Sequence, residues 1–231
     1  MNNPKEKLRK YLKQIVHRFL NTKSLFYELK RINEWSTPER EDALNHGAYF
    51  FQLTTYSMTR IYLVELAAIL SEKEDRSLID WLRKACVHAR SICPSRYSPN
   101  GKNERDAIKE NEYRKIIDKN ICELDSFNDL ISRIKAWRDK SIAHLDKAFF
   151  DTPSSIYKKY SINNSEIDQL IECVDQILHE HYSYIFHANL RMEILSVTTV
   201  DSILSYVQAF QKVRKDEKLI SSGFRPANYL A

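Results

Sequence analysis

The chain has 231 residues, 43% of them hydrophobic, with 36 basic and 31 acidic side chains for a net charge of +5. It holds 3 glycines, against roughly 16 at an average usage of about 7%; a chain so poor in the residue of tight hairpins and phosphate-cradling loops turns rarely, which argues against sheet-rich folds and glycine-loop nucleotide sites. The mild positive charge permits an acidic partner such as RNA without demanding one, and no apolar stretch approaches the roughly 20 residues that span a bilayer.

Residues 4 to 35 read as one or two helices, with Leu8, Leu12, Ile15, Phe19 and Leu20 at helical spacing. The same stretch carries the basic run Lys5, Lys7, Arg9, Lys10, Lys13 and Arg18, whose plain reading is a solvated face. Thr37 and Pro38 have the form of an N-cap and first position of a long helix reaching about Ser71. Within it, residues 48–53 and 61–70 are apolar around much of the circumference, the pattern of a central helix contacted on several sides. Glu65, alone in the second run, is expected to pair with Arg60 or with a base from another helix.

Ser77 is placed to cap the next helix, expected to run through Ala89. Residues 96–103, with Pro99, Asn100 and Gly101, form a loop, and a polar helix follows over about 104–120. A further helix starts at Asp125 or Ser126, its inward line being Phe127, Leu130, Ile131, Ile134, Trp137, Ser141, Leu145 and Ala148. Another starts at Asn163, with Ile167, Leu170, Ile171, Val174, Ile177 and Leu178 as its stripe. A last helix is expected from about Met192 to Lys212, with residues 213–231 as a tail. There is no repeat, low-complexity block or long linker, so the simplest partition of residues 1–231 is a single all-α helical bundle with a core of about 5–190.

The four cysteines, Cys86, Cys93, Cys122 and Cys173, form no CxxC pair and no zinc spacing with a histidine, and no secretory signal precedes them. They are expected as reduced, mostly buried thiols of a cytoplasmic protein. His179, His181 and His187 cluster near a helix end. His179 and His181 point about 160° apart on a helix, so the cluster reads as surface or helix-end residues rather than metal ligands. No metal, cofactor or membrane contact is expected.

The segment RDKSIAHLD beginning at Arg138 places Arg138, Asp139 and His144 within seven residues. On a continuous α-helix His144 returns to within about 20° of Trp137 and lies about 120° from Arg138. A histidine takes or positions a ribose 2′-OH proton near neutral pH, and an arginine stabilises the charge that builds on a phosphate under attack. An aspartate beside them holds the cation or an imidazole in place. Spacing alone does not discriminate, because Arg40 with His46 and Arg83 with His88 repeat it. From the residues, three readings stand: an RNA-cleaving enzyme, a non-catalytic module binding a nucleotide, RNA or protein, and a structural core pair. Past the segment, Tyr157 and Tyr160 flank Lys158 and Lys159; with Lys140 they make candidate RNA contacts, since aromatic rings beside cations bind single strands, while ordinary packing is the plain alternative.

The segment resembles the signature of the HEPN superfamily: Arg, four to six residues, then His, with a polar residue right after the Arg. Asp139 fills that polar position, whereas Arg40 is followed by Glu41 and Arg83 by Lys84. The order of elements is similar to the abortive-infection branch: a long apolar helix like 48–70, the stretch SLIDWL from Ser77, the Arg138 segment, and SEIDQLI from Ser165, over roughly residues 5–190. The resemblance implies an all-α bundle forming a two-fold dimer, with the motif helices of both subunits lining one cleft. It implies a metal-independent ribonuclease leaving a 2′,3′-cyclic phosphate, acting in phage defence or as a growth-arresting toxin with an antitoxin or regulatory partner. Arg138 would stabilise the scissile phosphate, His144 act at the 2′-OH or leaving oxygen, and Asp139 orient them. Some superfamily toxins carry a modifiable Tyr two residues after the His; Asp146 stands there, so that mode of silencing is not expected. Other members have lost catalysis and only bind nucleotides or partners.

Overall fold

Pro4 opens the first helix in its first turn, where a missing N–H costs no intrahelical hydrogen bond. Helix α1 (Pro4–Glu34) then runs 31 residues without a break, since neither glycine nor proline interrupts it. The computed structural model describes residues 3–38, 40–72, 74–92, 110–143, 154–190 and 199–223, without the side chains of 141–143, 154, 155 and 157. After α1 come α2 (Glu41–Asn45), α3 (Ala48–Ile69), α4 (Leu78–Val87), α5 (Ala89–Ile92), α6 (Glu110–Asp125), α7 (Asn128–Trp137) and a π-helical turn (Arg138–Ala143). Then follow α8 (Ser154–Lys159), α9 (Asn164–Phe186), α10 (Val200–Arg214) and α11 (Glu217–Ser221). Among the described residues there is no strand, so the chain is all-α as its glycine poverty implied.

The chain divides into two compact units, one of Met1–Lys23 with Arg60–Ile194 and one of Ser24–Thr59 with Leu195–Ala231. The first unit holds the larger core. Leu12, Phe19, Leu66, Trp81, Tyr113, Ile117, Leu170 and Leu178 are all fully buried within it. Helix α6 packs against both α4 and α9, and the Trp81 indole N–H donates to the Leu8 carbonyl at 3.0 Å, tying α4 to α1. Glu65 does meet a base from another helix: Arg18 approaches it at 2.8 and 2.9 Å through two nitrogens.

The second unit is built around Trp35, Ala43 and Leu204, with Phe51, Val200 and Val207 packed on them. The Trp35 indole donates to Asp201 at 2.6 Å, and the Gln211 amide donates to the Asp42 carbonyl at 3.0 Å.

Several local expectations hold. Ser77 accepts from the Asp80 N–H at 3.1 Å and caps α4. Asn163 caps α9 by accepting from Ser165, and Glu166 reaches back to the Asn163 N–H at 3.0 Å, a reciprocal box that satisfies two helix-end donors. Others change. The helix expected from Thr37 to about Ser71 breaks at Gly47, where an interior glycine costs about 1 kcal/mol: α2 closes after 5 residues and α3 starts afresh at Ala48. Burial on α3 is confined to its C-terminal half, and Tyr49, Phe50, Leu53 and Tyr56 lie exposed.

The polar helix expected to end near 120 continues to Asp125, and the next starts at Asn128. The last long helix is described from Val200, capped by Thr199, and the expected tail contains α11, capped by Asp216; residues 191–198 lie outside the described residues. The thiols are less buried than expected, with Cys122 exposed and Cys86 and Cys173 half-buried; Cys93 lies outside the described residues. Among the described residues no helix is long and apolar enough to cross a membrane.

Candidate active site

The motif begins where α7 ends. Leu130, Ile131, Ile134 and Trp137 are buried and fix the rotation of α7, and side-chain bonds from Arg133 and Trp137 pin it further. Arg133 donates to Glu166 at 2.6 Å, to Asp129 at 3.0 Å and to the Ser161 carbonyl. The hydrogen bond from Arg133 holds the Glu166 carboxyl below its ordinary range. The Trp137 indole donates to the Tyr160 carbonyl at 2.7 Å, so the chain after α8 is laid against the end of α7.

At Arg138 the helix changes pitch. Residues Arg138–Ala143 form a π-helical turn, which closes hydrogen bonds five residues apart rather than four and advances each residue by less than the α-helical 100°. The inward line drawn for a continuous α-helix is seen as far as Trp137, and the side chain of Ser141, its next member, is not among those described. Such turns cluster at functional sites because they re-aim a side chain at the cost of regular hydrogen bonding. His144, with Leu145 and Ala148 of the expected line, lies outside the described residues.

Arg138 is largely shielded, its side chain 21% exposed. Its Nε donates to Asp139 at 2.7 Å and its Nη1 donates to Glu74 at 2.5 Å. The bond to Asp139 does most to hold the guanidinium's pKa above its ordinary value, with Glu74 adding to it. One cation thus sits between two carboxylates, and a phosphate approaching Arg138 competes with both. Glu74, 64 residues earlier in the chain, was absent from the sequence-based site; its only trace there is an acidic stretch, Glu72 to Asp75, between two helices.

Lys140 donates to the Tyr160 hydroxyl at 3.0 Å and lies 5.2 Å from the centre of that ring, with Lys159 on the same ring at 5.6 Å. The hydrogen bond from Lys140, with Lys159 beside it, lowers the Tyr160 pKa. The structure thus brings together Lys140, Lys159 and Tyr160. Lys158 stands exposed on α8, and the Tyr157 side chain is not among those described.

The histidines set aside earlier separate. His181 is fully buried, not a surface or helix-end residue. The Asn120 amide donates to its Nε2 at 3.1 Å, which leaves Nδ1 as the protonated nitrogen, donating to the Tyr113 hydroxyl oxygen at 3.0 Å. Burial pulls its pKa down to about 3, so the ring is a neutral core link at physiological pH.

An all-α chain that sets Arg138 and Asp139 directly after an amphipathic helix is consistent with a HEPN-type domain. The HEPN-type AbiU2 family model matches residues 5–202, and the chain belongs to this abortive-infection family. No curated protein and no solved structure matches it.

Proposed function

We propose that the protein is a metal-independent endoribonuclease acting as a homodimer in abortive infection, as a phage-defence factor or toxin restrained by an antitoxin or regulatory partner. The observation that carries the reading is the Arg138–Asp139 pair at the π turn of a chain in a HEPN-type abortive-infection family. In the reaction, the ribose 2′-oxygen attacks the adjacent phosphorus and the bond to the 5′-oxygen breaks, leaving a 2′,3′-cyclic phosphate and a 5′-hydroxyl. His144 takes the 2′-OH proton or supplies the proton to the leaving 5′-oxygen. Arg138 neutralises the charge gained by the phosphate. Asp139, already bonded to Arg138 Nε, sets the guanidinium's orientation. Lys140, Tyr157 and Lys158 hold the strand beside the scissile bond.

A second reading is favoured by one feature. Arg138 is clamped by both Glu74 and Asp139, as an arginine would be in a non-catalytic dimer that binds a nucleotide, RNA or protein partner. RNA incubated with the purified protein in EDTA separates the two. The nuclease reading expects fragments, lost in His144→Ala with the fold intact. The binding reading expects saturable binding and intact RNA.

A further inference from the structure

Helix α1 carries its basic run on a face that meets a groove. Lys10, Lys13 and His17 stand exposed at three- and four-residue intervals, and with Tyr11, Arg18 and Arg76 they border an open groove of about 500 Å³. None of the described residues lining it is acidic. Arg18 is neutralised by Glu65 and Asp80 by Lys84, so the local charge comes from Lys10, Lys13 and Arg76 against Asp75, which lies near enough to influence Tyr11. The Tyr11 hydroxyl lies 2.8 Å from the Asp80 carboxylate and 2.9 Å from the Ser77 carbonyl oxygen, its one proton shared between the two acceptors, which fixes the floor.

Two features give the groove a direction. On one side Lys13 also sits 4.9 Å from the centre of the Phe186 ring, as does Arg9, and the Tyr182 ring lies 4.4 Å from Phe186, tilted 38° to it. Cations interleaved with aromatic rings are the usual platform for single-stranded nucleic acid. On the other side Arg76 belongs to a tight turn whose Glu74 carboxylate clamps Arg138, the Arg76 N–H donating to the Glu74 carbonyl at 2.8 Å. Two Cα steps, at most about 7 Å, separate the groove's arginine from the residue that holds the motif's arginine.

We infer that the α1 groove binds the phosphodiester backbone of a single RNA strand through Lys10, Lys13 and Arg76 and leads it across the 74–76 turn towards Arg138. The identity of the polyanion rests on the ribonuclease reading; the groove's affinity for phosphates does not. An arriving phosphate offers Arg138 a partner in place of Glu74, so strand entry and release of the clamp are coupled.

The test is anisotropy of a fluorescein-labelled oligouridine over a salt series, in the His144→Ala background so that nothing is cut. Lys10→Glu with Lys13→Glu is expected to weaken binding about ten-fold or more and to flatten the slope of log K against log salt by about 1.4, from about 0.7 per lost single-strand contact. Lys115→Glu with Lys119→Glu makes the same charge change on α6 and is expected to leave the slope unaltered. No binding by the parent, an unchanged slope in the groove variant, or an equal fall in both variants overturns the inference. Displacement of the strand by UMP at matched phosphate concentration would overturn it in favour of a free nucleotide. Failure of the nuclease reading looks different: binding dependent on Lys10 and Lys13, but no cleavage by the protein with His144 in place.

Discussion

Removing the proton acceptor at the centre of the first unit should change how the fold responds to acid. His181 has a pKa of about 3 in the folded chain against an ordinary 6.5, because burial disfavours its charged form. Between those values the unfolded chain binds a proton that the folded chain refuses, so stability is complete above about 6.5 and falls as the pH drops. The slope is about 1.4 kcal/mol per pH unit. The Glu166 carboxyl is also perturbed, but downward from 4.5, so its acid loss begins only below that value. Between 4.5 and 6.5 the His181 contribution comes to about 3 kcal/mol, a large share of a domain's usual 5–15 kcal/mol, and Glu166 adds nothing to it there. Urea unfolding across that window measures it. His181→Gln, which does not titrate, is expected to be less stable at neutral pH and nearly flat across the window. A wild-type free energy that stays flat there refutes the buried neutral histidine outright.

Other consequences follow from the ties around the motif. Glu74→Gln removes one of two carboxylates from Arg138 and is expected to tighten RNA binding by about five-fold, the effect of about 1 kcal/mol of relieved competition; weaker binding by anisotropy would mean that Glu74 positions the arginine rather than occupies it. Arg133→Lys keeps the charge but loses the forked contacts to Glu166 and Ser161, at an expected cost of about 1–2 kcal/mol in urea unfolding; full retention of stability by lysine contradicts the anchoring role. Asn163→Ala is expected to cost about 1 kcal/mol through loss of the α9 cap, with Asn163→Ser nearly neutral; equal losses in both would show that capping is not the cause.

The helices were legible because their signals are local. Periodic apolar residues gave the inner faces of α1, α7 and α9, and Ser77 and Asn163 marked two starts that the structure keeps. Gly47 defeated the long helix expected from Thr37, since a single unfavourable residue decides where neighbouring packing does not compensate. The exposed aromatic half of α3 was equally hidden, because periodicity records which residues are apolar and not which are covered. His181 escaped for the converse reason: its partners Tyr113 and Asn120 lie on another helix, 68 and 61 residues away.

At the candidate site the sequence offered Arg138 and Asp139, which the structure places in hydrogen-bond contact, and His144, which lies outside the described residues, but not the change of pitch at Arg138. It also left out Glu74, since an ion pair between distant segments leaves no spacing to read. Lys10 and Lys13 of the basic run are exposed, as a solvated face requires, and no spacing in the sequence shows that Arg76 borders the same groove.

End-group analysis of RNA incubated in EDTA with the wild type, Arg138→Ala and His144→Ala tests the nuclease claim most directly. The account predicts 2′,3′-cyclic phosphate ends from the wild type and rate losses of about 100-fold or more in each variant. Equal cleavage by all three proteins, or fragments ending in a 3′-hydroxyl, would contradict it.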